Sequence, residues 1–325
     1  MTTPLVPLPA AATLALIPGI PVGGSGHFLA GDVRGARKLF YLQTAALGMA
    51  LVGAIPIWLS NNSRYLAGPS MGLAITGAGL ALLAKFADIY GVFTRGMNIP
   101  DRHENYSWMA WGGMRYVHDP LYEGGLFASM GSAFRRGDWG VRLDLDASAQ
   151  DENLRARGEG RYELPLKLMD DRSYLVALAA LTYHRFEPYG FSERTLEGQI
   201  GMHIHLGAIH GTLRGSFIET MIGYGLSQVT YGTGAEDHEP LLLARFLMGT
   251  AFGSGRGVMA LYYDHRHDGF AGGLTLGISG DGPAGHVGVS GRFFVFGRWG
   301  VYWDVARGKS TVAVAGVFAG GGRAR

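Results

Sequence analysis

Arg155-Ala156-Arg157-Gly158-Glu159-Gly160-Arg161-Tyr162-Glu163-Leu164-Pro165-Leu166-Lys167-Leu168-Met169 is the stretch from which the fold is read. Arg155, Arg157, Glu159, Arg161, Glu163 and Lys167 share one parity, while Ala156, Tyr162, Leu164, Leu166 and Leu168 share the other. A helix would mix the two sets around its circumference; a strand sends them to opposite faces. At ~3.3 Å per residue the run reaches about 50 Å, against roughly five or six residues for an ordinary strand. A strand this long, charged on one side and oily on the other, needs water at one face and an apolar medium at the other. Repeated around a closed sheet, the pattern describes a transmembrane wall with lipid outside and a polar lumen inside.

The composition agrees with that wall. Hydrophobic residues make up 47% of the 325 and charged residues 17%, below the ~25% usual in soluble domains. Glycine is abundant, at 53 residues, and scattered glycine suits close strand packing and tight turns. The net charge of +2 comes without any Lys/Arg run, so no nucleic-acid partner is expected. The absence of cysteine excludes disulfide scaffolds, thiol catalysis and zinc–thiolate sites. Gly253-Ser254-Gly255 and Gly320-Gly321-Gly322 lack the Lys-Ser/Thr of a phosphate cradle, and no cofactor is expected.

Residues 1–100 read as an apolar helical segment. Met1 to Gly31 carries no charge and lacks the basic start of a secretory signal, so the exported precursor is expected to begin further upstream. Phe40 to Ser60 and Tyr65 to Ala84 are uncharged runs separated by Asn61-Asn62-Ser63-Arg64, each long enough to cross ~30 Å of hydrocarbon as a helix. Arg34, Arg37, Lys38, Lys85 and Arg95 flank this hairpin of 40–60 and 65–84 as they would an inner-membrane hairpin with cytoplasmic ends. Dilution by Gly, Ala, Ser and Thr, with Pro56 inside the first run, points instead to a hairpin that packs against the barrel or fills its lumen. Pro18-Gly19 followed by Gly24-Ser25-Gly26-His27-Phe28-Leu29-Ala30-Gly31 and Gly35 resembles the start of TM2-like two-helix membrane proteins, although Ile20-Pro21-Val22-Gly23 splits that motif.

Gly96 to Asn105 is polar, contains Pro100 and marks the boundary. From 101 to 325 the period is two. Candidate strands are Trp108–Tyr116, Gly125–Phe134, Trp139–Ser148, the opening stretch, Ser173–Phe186, Thr195–Leu206 and Ala208–Tyr224. After a loop read as Gly225 to Pro240 come Leu241–Phe252, Arg256–His267, Phe270–Ser279, Gly285–Phe296, Trp299–Arg307 and Ser310–Ala319. These are thirteen candidates; since bacterial barrels have even strand numbers, the prediction is an antiparallel up-and-down transmembrane β-barrel of about twelve. Trp108, Trp111, Trp139, Trp299 and Trp303, with Tyr162, Tyr174, Tyr224 and Tyr302, are expected near strand ends as an interfacial girdle.

Over about 220 residues this array resembles the outer-membrane β-barrel proteins of Gram-negative bacteria. It departs from them at Phe318, which is followed by Ala-Gly-Gly-Gly-Arg-Ala-Arg where such barrels commonly finish on an aromatic residue. The resemblance implies an outer-membrane location and membrane lipid as the main partner, with other envelope proteins reached through the N-terminal hairpin.

The residues expected to line the lumen are Arg142, Asp144, Asp146, Arg155, Arg157, Glu159, Arg161, Glu163, Glu197, His203, His205 and Arg214. With about twelve strands the bore is narrow, and cross-linking of Arg and Glu makes a narrow or plugged channel, or the membrane component of an envelope assembly, the expected role. His203 and His205 point to one side of a strand, and with His210 across the next turn they could share a metal with Glu197, but they read more simply as wetted lumen groups; no metal is assigned. Tyr262-Tyr263-Asp264-His265-Arg266-His267-Asp268 suggests an alternative. Some lipid A deacylase barrels use a strand His as base for a nearby Ser in a His-x-Ser-Asn setting, which would give His265 or His267 a catalytic role. Here His267-Asp268 stands where the nucleophile is needed. A third alternative is an inner-membrane hairpin carrying a soluble β-rich domain, whose apolar strand faces would pack into one another.

Overall fold

The computed structural model describes residues 23–59, 64–93, 107–119, 123–148, 150, 152–166, 173–186, 190–208, 215–252, 256–265, 286–308 and 310–321. Twelve antiparallel strands close into a barrel. They are β1 (Trp108–Asp119), β2 (Glu123–Arg136), β3 (Trp139–Ser148), β4 (Asn153–Pro165), β5 (Tyr174–Phe186) and β6 (Phe191–His205), then β7 (Ser216–Thr230), β8 (Glu236–Phe252), β9 (Gly257–Asp264), β10 (His286–Phe296), β11 (Trp299–Arg307) and β12 (Thr311–Gly321). Each pairs with its neighbours in the chain, and β1 pairs with β12 from Trp108↔Gly321 to His118↔Thr311, so no backbone edge is left open. The rim holding Trp108 and Gly321 is called the terminal rim. The β2–β3 turn lies there, and Gly137 takes φ 58° to make it in two residues. β9 ends and β10 begins at the opposite rim.

The alternation decides which way each face looks. Leu143, Leu164 and Ile200 stand 55%, 50% and 67% exposed on the outer wall, while Arg157 is 8% exposed inside. A soluble domain with interleaved apolar faces is therefore overturned: the apolar face is the outside of a closed wall. Trp108, Phe134, Trp139, Phe296 and Trp299 are exposed at the terminal rim, and Tyr162 lies 4.7 Å from Trp139. Three girdle expectations fail: Trp111 turns inward beneath Arg142 at 4.8 Å, Tyr174 turns inward to stack on His203, and Tyr302 turns inward against an apolar cluster that includes Val312 and Val314.

Glycines face rings across the wall. Gly131 is the register partner of Trp111, Gly249 of Phe217, Gly288 of Tyr262 and Gly300 of Phe318. In each pair a Cβ on the glycine would fall 2.3–2.4 Å from the ring, so the ring lies on bare backbone.

Two boundaries differ from the sequence expectation. The segment read as a loop over 225–240 is mostly strand, because β7 runs to Thr230 and β8 begins at Glu236; only 231–235 turns. Its residues looked like a loop because Glu236, Asp237 and His238 are exposed, at strand ends that carry polar residues. The strand expected from Ala208 instead begins at Ser216, after a 3-10 turn at Leu206–Ala208. The candidate Phe270–Ser279 lies outside the described residues.

Before the barrel come α1 (Ser25–Leu29), α2 (Val33–Leu59) and α3 (Arg64–Phe93). The helices outrun the apolar runs because helix ends follow caps and partners, not charge. Asp32 caps α2 by accepting the Gly35 amide at 2.9 Å, which brings Arg34, Arg37 and Lys38 into the helix. Asp88, fully buried on α3, accepts the amides of Gly26 (3.1 Å) and His27 (2.9 Å) and the His27 ring Nδ1 (2.9 Å), latching α1 down. Pro56 is accommodated within α2. The two long helices touch backbone to backbone: a Cβ on Gly53 would lie 2.3 Å from the Ala74 amide, and one on Gly77 2.3 Å from the Ala50 amide.

The hairpin docks on the outside of the barrel. Leu39 of α2 and Ala87 of α3 are buried with Leu206 and Met248, and Ile204, Ile218 and Phe246 pack around them. Filling of the lumen is overturned among the described residues, since the lumen cavity is lined by strand residues alone.

Candidate functional site: the barrel lumen

Inward parity on β1 to β7 collects Arg and carboxylates, and cross-strand spacing lets their long side chains meet. Three layers of ion pairs result. Nearest the terminal rim, Arg135 of β2 bonds Glu163 of β4, and Arg161 binds both Glu163 (3.0 Å) and Glu219 of β7 (2.6 Å). His203 of β6 completes this belt: its Nδ1 is 3.3 Å from Glu219 and its ring is stacked between Tyr174 (4.6 Å) and Phe217 (4.9 Å).

In the middle layer Arg157 makes a bidentate pair with Glu197 at 2.6 and 2.9 Å and donates to Thr182 Oγ1 at 2.9 Å. Towards the opposite rim Asp146 sits between Arg115 (3.2 Å) and Arg155 (3.6 Å). Arg142 pairs with Asp144 on its own strand at 2.7 Å.

Arg157 and Arg161 span β5 to reach their partners on β6 and β7. That explains a feature of β5 that alternation alone does not: its inner face is aliphatic, with Val176, Leu178 and Ala180 buried against Met221 under the bridging guanidiniums.

The remaining wall, β8 to β12, differs. Tyr262 donates to Asp304 at 2.8 Å, and His286 meets the Tyr262 ring edge-on at 5.9 Å. Around them Ala306, Val312 and Val314, joined by Val117 of β1 and Phe127 of β2, form an apolar cluster. The two walls enclose a cavity of ≈ 490 Å³, which Arg245, Asp264, Arg292 and Asp304 border on this side, so charge meets it from both.

Of the residues the sequence assigned to the lumen, Arg142, Asp144, Arg155, Arg157, Glu159, Arg161, His203 and His205 border this cavity. Asp146, Glu163 and Glu197 are held in the ion pairs just described. Arg214 lies outside the described residues. Pairing runs around the wall between nearby strands, not straight across the bore as a narrow barrel had suggested. Glu197 is engaged by Arg157 while His203 meets Glu219, so these two do not converge on a metal; His210 lies outside the described residues.

His265 lies just beyond the end of β9, and its side-chain hydrogen bond is to the Tyr263 hydroxyl at 2.8 Å. His267 lies outside the described residues. Among the described residues no serine is hydrogen-bonded to His265.

Sequence reasoning missed Arg115, Arg135, Glu219 and the Tyr262–Asp304 pair. Glu219 was hidden by parity. Counting from Ala208 put Phe217 opposite the polar set, but β7 starts afresh at Ser216 and turns Phe217 and Glu219 inward.

No family model matches the sequence, and no curated protein matches it. Solved structures similar to the chain are outer-membrane barrels. The outer membrane protein Omp33 of Acinetobacter baumannii is 11% identical, over 68% of this chain and 100% of that one, with a TM-score of 0.36. The translocator domain of the autotransporter NalP from Neisseria meningitidis is 12% identical over 66% and 88%, at 0.40. Outer membrane phospholipase A of Escherichia coli, as an N156A active-site mutant, is 10% identical over 69% and 94%, at 0.38.

Proposed function

We propose that the chain is an outer-membrane barrel that conducts through a narrow, charge-lined lumen. The observation that carries this reading is the division of faces: aliphatic side chains such as Leu143, Ile200, Ile222 and Leu242 stand exposed outside, while Arg and carboxylate layers are enclosed inside. Burying that much charge stabilises a fold only weakly, because desolvation offsets most of the attraction. Charged rings facing water do have a use in a conduit, where they select and hold ions. The layers leave a cavity of ≈ 490 Å³, suited to water and small solutes and not to the wide traffic of barrels with roughly 16–18 strands.

The test is reconstitution of the full chain in planar bilayers. Small, discrete conductance steps are expected, growing in the double variant Arg157→Ala/Glu197→Ala, which removes the middle layer. Silence from both proteins, each migrating as a folded barrel, would overturn the channel and leave a membrane anchor.

A further inference from the structure

Resting on that reading, we propose that the α2–α3 hairpin is embedded in the same bilayer as the barrel. Its unpartnered outer face is covered by lipid, which makes the molecule a mixed helical and barrel membrane body. The hairpin seats on the face of the wall that otherwise meets hydrocarbon. Ile204, Ile218, Phe246 and Met248 are its contacts, and the same outward parity continues from them into Ile200, Ile222 and Leu242, all exposed. The oily belt of the barrel thus runs without a break up to the flank of the helices.

The hairpin also climbs that wall. Ala87 lies with Leu206 at the terminal rim, whereas Gly79, about two turns earlier, lies against Phe246 and Met248, further up β8. At 1.5 Å per residue α2 is about 40 Å long, enough for ~30 Å of hydrocarbon, and Val33–Pro56 is long and apolar enough to span. Leu51, Val52, Ile55, Trp58 and Leu59 are exposed along its far half. Charge follows the same axis. Arg34, Arg37, Lys38 and Lys85 lie on the rim-side halves of the two helices, Phe40 to Leu59 carries none, and Arg64 stands at the far tip where α3 begins. The Thr44 hydroxyl on this face donates to the Phe40 carbonyl at 2.9 Å, so it needs no water.

The chain has no cysteine, so a single nitroxide reports one site. In full-length protein carrying Leu51→Cys or Ile55→Cys, placed in phosphatidylcholine/phosphatidylglycerol vesicles, collisions with oxygen and with a water-soluble nickel chelate are compared. Ile200→Cys on the barrel belt and Thr233→Cys on an exposed turn are the references. The oxygen-to-nickel ratio at Leu51→Cys and Ile55→Cys should match that at Ile200→Cys and exceed that at Thr233→Cys severalfold. Ratios like that of Thr233→Cys would put the hairpin in water and overturn the proposal. Protection from both reagents would overturn it in favour of a protein cover, a second copy included. Nickel access at Ile200→Cys would bring down the membrane reading itself, and the shared bilayer with it.

Discussion

Arg157 is the residue whose loss is expected to be felt most. Its guanidinium satisfies both oxygens of Glu197, whose side chain is 1% exposed, and it does so over the aliphatic face of β5. Removing one partner of such a pair strands the other, which costs about 3–5 kcal/mol. Glu197→Ala should therefore lower stability by that amount in urea titrations of vesicle-inserted protein, and Arg157→Leu/Glu197→Leu should recover most of it. Both residues were legible from parity alone. Glu219 was not, because a 3-10 turn resets the count before β7 and a sequence carries no mark of where alternation restarts. Asp88 was equally hidden: it looks like a stray charge after an apolar run, yet it caps α1 from sixty residues away. Asp88→Ala should free Ser25–Leu29, read as new protease cleavage near Gly24, with the barrel's own resistance unchanged.

Among the elements, α2 and α3 depend on small residues where they cross. Gly77→Leu would drive a side chain into the Ala46–Ala50 backbone, and overpacking of this kind costs about 1–3 kcal/mol. The expected result is a splayed hairpin, detected as faster hydrogen exchange through α2 and α3 with β1–β12 unaffected. The strands were easier to find in the sequence than the helix ends. Period two persists wherever one face meets oil and the other water, but it fades where strand ends carry polar residues, as at Glu236 to His238. Helix ends answer instead to single hydrogen bonds such as that of Asp32, which no composition window reports.

At the scale of the whole molecule, closure and tenancy separate. The sheet closes by β1 pairing with β12, and the hairpin contributes only a patch on the outside of β6–β8. A chain reduced to residues 101–325 should still form a heat-modifiable barrel, seen as a shift on unboiled gels; loss of that shift would make the hairpin part of the wall. The closed antiparallel wall could be anticipated because it follows from alternation, with the even-number rule bringing thirteen candidates to twelve, whereas the side of the wall on which the hairpin sits could not, since it depends on the shape of one surface patch. The rings lying on opposite glycines have a further consequence for assembly. Slide any one of those strands by a single residue and the ring arrives at a neighbour that carries a side chain, so the mismatch is rejected at several places around the circumference at once. Those pairs act as a vernier at four of the twelve seams of the wall.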